Sequence, residues 1–261
     1  MSTTVERLQI SVTTAAGNLT TPVEIPTGFV PVTAIVPLMR HLGEQAQALE
    51  EQQTLQAGRS ISCRKGCAAC CRMLVPVSGP EAFALKMHIE TWPEERKEAL
   101  MAKLAVTQQR LAESGVLPKL EKLMESDQQM TDEDMEPVNR EYYALRMPCP
   151  FLEDEMCSIY EHRPAACREL KVTTPAKLCD DMVANPVRPV PVPLRVGTAL
   201  SLLWTDLAGG PVRLIPLPLA VLWAARHAPE GDRTWKGTQL LEKALDKVWR
   251  FLSQQQAANS T

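Results

Sequence analysis

The sequence predicts a mainly α-helical protein with a small N-terminal β element and irregular, metal-stapled loops around a cysteine cluster. Three observations predict it. Loose apolar alternation is confined to residues 7–31, helical periodicity returns repeatedly after Thr33, and eight cysteines gather in two turn-rich blocks. The chain has 261 residues, 45% of them hydrophobic, enough to bury a core in one large domain or two small ones. Three regions are expected: 1–58, a hairpin and helix; 59–182, the cysteine-cluster domain; and 183–261, a Pro-rich connector with C-terminal helices.

Leu8, Ile10 and Val12, then Val23, Ile25, Phe29 and Val30, flank Gly17-Asn18 and read as a hairpin. From Thr33, residues Ile35, Leu38, Met39, Leu42, Ala46 and Leu49 fall on one helical face, with Pro37 in the first turn, where its missing N–H costs little. This stripe reads as core packing. Ser78-Gly-Pro-Glu81 is a capping box that starts a helix running to about His88. Thr91-Trp92-Pro93-Glu94-Glu95 starts another, carrying Leu100, Leu104 and Leu111. Residues 121–137 are acidic and Met-rich and read as a solvated helix end and loop stopping at Pro137. Their carboxylates lack the spacing of a calcium loop. The run from Asn185 to Pro193 reads as a stiff extended connector. Helices follow near 197–208, 215–227 and 235–256. The last carries Leu240, Leu241, Ala244, Leu245, Val248, Trp249 and Leu252 as one apolar stripe.

Charge and composition exclude several functions. With 28 basic and 31 acidic residues the net charge is -3, and no basic excess or polybasic run points to nucleic acid. Aromatics are 5%, too few for a single-strand stacking platform. The N-terminus lacks an apolar signal core. The apolar stretches near 197–225 are broken by Asp206, Arg213, Pro216 and Pro218, short of the roughly 18 apolar residues of a membrane span. A cytoplasmic location is expected. There, clustered cysteines are metal ligands more often than disulfides.

The first block is Cys63-Arg-Lys-Gly-Cys67-Ala-Ala-Cys70-Cys71. On a helix its thiols would share a face; Arg64-Lys65-Gly66 favours a turn folding them around a common point. Either way, gathered thiolates repel unless a cation lies between them, and Arg64, Lys65 and Arg72 favour ionisation. The second block places Cys149, Cys157, Cys167 and Cys179 among Pro148, Pro150 and Pro164, with Phe151, Ile159 and Tyr160 as a shielding lid. Of the histidines, His41, His88 and His227 read as surface or capping residues. His162 beside Arg163 is the best placed, yet it too reads as structural. Arg163 and Arg168 read as donors to backbone carbonyls or to cluster sulfurs. Phosphate loops, nucleophile elbows and zincin motifs are missing.

The Cys-x3-Cys-x2-Cys-Cys block, followed by Cys-Pro-Phe-Leu, Cys-Ser-Ile-Tyr-Glu-His-Arg-Pro and Cys-Arg, resembles the YkgJ-type cysteine-cluster family of zinc- or iron-chelating domains. The resemblance covers about 63–170. It implies a metal centre held by Cys63, Cys67, Cys70, Cys71, Cys149, Cys157 and Cys167, with Cys179 as a weaker member, and it implies no particular reaction. Flagellin lysine methylases share a similar block, which makes methyl transfer an analogue. Cys63, Cys67 and Cys70 also match the spacing of the radical S-adenosylmethionine motif, but the flanks show no repeated strand–helix units and Cys71 is foreign to it.

Two cofactors fit the pattern. Only Cys67–Cys70 has the Cys-x2-Cys knuckle spacing of zinc sites, and adjacent Cys70-Cys71 crowds a single tetrahedral ion. A larger iron–sulfur cubane, or two separate centres, accepts such a run more readily; the eight thiols allow two four-thiolate zinc sites, one cluster with spare thiols or two clusters, with [4Fe–4S] preferred and zinc the alternative. The function expected is a redox or protein-modifying role with a protein partner or substrate. The alternative is a structural zinc-binding interaction or metal-handling module without catalysis. Whether the protein is an enzyme is left open.

Overall fold

In the computed structural model, residues 4–128 and 132–259 are described. They form β1 (Val5–Thr14), β2 (Gly17–Pro26), β3 (Phe29–Pro31), α1 (Val36–Gln56), β4 (Pro76–Val77), α2 (Gly79–Glu90), α3 (Glu94–Glu113), α4 (Leu117–Glu125) and α5 (Asp132–Ala144). There follow β5 (Leu152–Glu153), β6 (Met156–Cys157), α6 (Ala165–Glu169), α7 (Val196–Ala208), β7 (Ile215–Pro216), α8 (Leu217–Arg226), α9 (Ala228–Gly231), β8 (Thr234–Lys236) and α10 (Gly237–Asn259). The architecture is mainly α with an N-terminal β hairpin, as the periodicity predicts.

β1 and β2 pair antiparallel from Val5 opposite Pro26 to Thr14 opposite Gly17. Ile10, Val12, Leu19, Val23 and Ile25 are buried on one face, while most of the other face is exposed. The turn is Ala15-Ala16, not Gly17-Asn18. Gly17 instead opens β2 with φ 133°, a conformation that side-chain-bearing residues rarely adopt. Phe29–Pro31 leaves the hairpin and pairs with Thr234–Lys236, which ties the N-terminal region to the start of α10.

α1 follows a 3-10 turn, Val32–Ile35, with Pro37 in its first turn as expected. Met39, Leu42 and Ala46 are fully buried. Gly43 lets α1 approach α7 closely: a Cβ there would lie 2.4 Å from the Val196 side chain. The capping box forms as predicted, with the Ser78 side chain accepting from the Glu81 N–H and Glu81 accepting from the Ser78 N–H. α2 packs on α7 and α8, and α10 packs on α7. Between these helices Phe83 meets Trp204 and Trp223, with ring centroids 5.3 Å apart in each pair.

The acidic stretch departs from expectation. Met124 is fully buried and Leu123 nearly so, because both lie on the inward face of α4. α5 runs through Pro137 to Ala144. That proline lies inside the helix, where it removes the bond to the residue 133 carbonyl and its ring crowds that carbonyl. Positions 129–131 of this stretch lie outside the described residues. The Pro-rich segment is extended, yet it is also pinned: Val190 N–H donates to the Lys171 carbonyl at 2.8 Å and Thr173 N–H to that of Arg188 at 2.9 Å. In α10 the predicted stripe is buried except for Trp249, which is 49% exposed. It lies one residue, about 100° of helix rotation, beyond Val248.

One contiguous core runs from Ile10 in β1 to Leu252 in α10 and includes Phe151, Ile159 and Ala165 beside the cysteines. Among the described residues no helix is long and apolar enough to cross a membrane.

Candidate metal centre

The first block lies in a stretch of consecutive turns, as Arg64-Lys65-Gly66 suggests. Gly66 takes φ 87°, and Cys67 N–H donates to the Arg64 carbonyl at 3.0 Å. Cys71 N–H then reaches the Ala68 carbonyl at 2.9 Å and Met73 N–H the Cys70 carbonyl at 3.1 Å. The block is held from outside at its start. Ser62 N–H donates to the Val172 carbonyl at 2.9 Å, and Val172 N–H donates to Cys63 Sγ at 3.3 Å.

The second block is bonded directly to the first. Cys149 N–H donates to the Cys71 carbonyl at 2.7 Å. β5 and β6 form a small hairpin with Leu152 opposite Cys157. Its turn residues Asp154 and Glu155 have φ of 49° and 56°, the paired left-handed conformation that matches strand twist in a two-residue loop. The tip is anchored where Arg72 pairs with Glu155 at 2.9 Å. Phe151 and Ile159 are buried behind the hairpin as the predicted shield. Tyr160 instead stacks under Arg163, whose guanidinium lies 3.7 Å from the ring centroid. Cys167 sits in the middle of α6, and Cys179 is buried in the 3-10 turn Ala176–Asp181.

The thiols influence one another electrostatically across both blocks. Cys70 is the hub: a hydrogen bond from the Cys71 thiol is the main cause that lowers its pKa to about 7. Holding that proton raises Cys71, which is also raised by charge on Cys149 and Cys167. Burial pushes Cys149 up to about 12 and Cys167 well above its ordinary value. Cys179 rises to about 11, chiefly by burial, and further through Cys63, Cys70 and Cys67. Burial also raises Cys63 and Cys157, opposed by the Val172 and Ile159 N–H groups respectively. Cys70 bears on Cys63, Cys71, Cys149, Cys157, Cys167 and Cys179 in this way, so the two blocks lie near one another. They are neighbours rather than a closed cage: among the described residues no three His, Cys, Asp or Glu side chains stand in an ion-holding arrangement. The donor set suits a thiophilic metal, since burial and mutual repulsion penalise thiolates that a cation would stabilise.

All eight cysteines are free. Alkylation followed by mass spectrometry of freshly isolated protein is expected to find no disulfide-linked peptides; a dominant bridged form would contradict this.

The arginines serve the backbone, one of the two roles foreseen for them. Arg163 Nε donates to the Tyr160 carbonyl and Arg168 Nε to that of Arg163, both at 3.0 Å, while Arg168 also pairs with Glu44. His162 stacks on His88 at 3.5 Å between centroids, and His88 accepts from Trp92 Nε1. His41 bonds Thr21, and His227 stacks on Trp223. Sequence reasoning missed the supports Arg40 and Glu169, both half-buried, and Val172, fully buried. Only Glu81 carried a local signal, its capping box. A cavity of about 720 Å³ has Met73, Ala166, Leu170 and Met182 in its wall, and none of the eight cysteines lines it.

Residues 62–183, a little under half of the chain, match the CxxCxxCC family model, described as a putative zinc- or iron-chelating domain. That match supports a metal-binding role. No curated protein and no solved structure matches the chain.

Proposed function

Because residues 62–183 belong to the CxxCxxCC zinc- or iron-chelating family, we propose that this chain is a cysteine-cluster metalloprotein carrying an iron–sulfur centre, with a redox or protein-modifying role. The observation that carries this reading is the single thiol array. Both blocks contribute to it, and its adjacent Cys70-Cys71 pair crowds a single tetrahedral ion but can ligate different irons of a cluster, while the eight thiols by number would serve two four-thiolate centres of either kind. When bound, the centre would supply electron transfer. The chain's own residues hold the thiols in register and exclude water through Phe151 and Ile159.

A second reading has its own support. Cys67–Cys70 has the Cys-x2-Cys spacing of zinc knuckles, and eight thiols suffice for two four-thiolate zinc sites. The protein would then be a structural zinc module. Protein purified without oxygen decides between the two. The iron–sulfur reading expects a brown sample with broad absorption near roughly 400 nm, iron and labile sulfide. A colourless sample with stoichiometric zinc and no labile sulfide would replace it with the zinc reading.

A further inference from the structure

α6 has five residues, too few to be stable alone, yet it carries Cys167 at its centre. Its position is set from both ends by carboxylates, Glu81 buried and Glu169 half-buried. At the start, Ala165 N–H donates to Glu81 Oε1 at 2.7 Å. Towards the end, Glu169 Oε1 accepts from Val196 N–H at 2.8 Å and so caps α7. Glu81 is 1% exposed, and Arg40 Nη2 lies 3.6 Å from the same oxygen that holds Ala165. Its other oxygen, Oε2, accepts from Ser78 Oγ at 2.8 Å and from Ser78 N–H at 3.3 Å. A helix cap needs only that second set of bonds. Burial of a carboxylate whose other oxygen reaches 84 residues along the chain to the cysteine helix exceeds what capping α2 requires.

We propose that Glu81 is a positioning residue for the metal centre: its buried carboxylate fixes the first residue of α6 and thereby the direction in which Cys167 presents its sulfur. The inference rests on the metal-binding reading of the thiol array. Groups that orient metal ligands typically cost ten- to a hundredfold in metal affinity when removed.

The test is a cobalt(II) titration of the full chain, reduced and oxygen-free, followed by the thiolate-to-cobalt absorption band and by hydrogen exchange at 165–167. Ala165→Pro removes the N–H donor alone, at the first helical position where proline is tolerated, and Pro164 already has the extended backbone that precedes a proline. Ala165→Pro and Glu81→Ala are expected to weaken cobalt binding about ten- to hundredfold and to reduce the thiolate band. Glu81→Gln, which retains an acceptor for Ala165, is expected to restore both. Wild-type affinity and band in both Ala165→Pro and Glu81→Ala would overturn the proposal. A wild-type chain that takes up no cobalt would overturn the metal-binding reading itself, and this proposal with it.

Discussion

Stripping metal from the isolated protein with a strong chelator, without oxygen, is expected to loosen both cysteine blocks together. The two are joined by the Cys149 N–H to Cys71 carbonyl bond and by the Arg72–Glu155 pair, and neither contains a long helix or strand. An exposed ion pair such as Arg72–Glu155 contributes about 1 kcal/mol or less. Thiolate–metal bonds spanning the two blocks would then be the strongest link between them, and binding free energy there would act as folding free energy. Hydrogen exchange at 62–73 and 149–172 should accelerate on the order of a hundredfold or more on metal removal, while α2, α7 and α8 stay protected. Cys67→Ser should reproduce part of the effect in both blocks. A second block that keeps its protection after the first has lost its own would show that the blocks fold separately.

Phe151→Ala is expected to be the most damaging single substitution near the centre. Phe151 is fully buried, and its carbonyl accepts from Ser158 N–H at 2.8 Å and Ser158 Oγ at 3.0 Å. Truncation leaves a cavity in the shared core and costs about 3–5 kcal/mol, measured by denaturant unfolding. It also opens the back of the β5–β6 hairpin to water beside Cys149 and Cys157, so bound metal should be released faster than from the wild type. A loss under about 1 kcal/mol with unchanged metal release would show that the hairpin packs without this ring.

The helices could be read from the sequence because each carries its signal within a few turns of chain. Ser78 and Glu81 announce α2, the stripe from Met39 to Ala46 announces α1, and Leu240 to Leu252 announces α10. The pairings of Phe29–Pro31 with Thr234–Lys236 and of Pro76–Val77 with Ile215–Pro216 could not be read. Strands of two or three residues have no period to detect, and their partners lie far along the chain. The Asp154-Glu155 turn was hidden for a different reason: neither residue is the glycine or asparagine that usually marks a left-handed pair. The cysteines were visible because thiol spacing is itself a chemical signal. Their supports were not. Glu169 and Arg40 look like surface charges until α6 and α1 bring them against Val196 and Glu81.

The central claim is that both cysteine blocks serve one centre built around Cys70. The most direct measurement is metal per chain, by elemental analysis of oxygen-free protein, for the wild type, Cys70→Ser and Cys167→Ser, each checked for folding by circular dichroism. One shared centre predicts that either substitution removes the same metal, to the same extent, from a chain whose α2, α7 and α10 helices persist. A Cys167→Ser protein that keeps its full metal complement while Cys70→Ser loses it would contradict the claim and confine the centre to the first block.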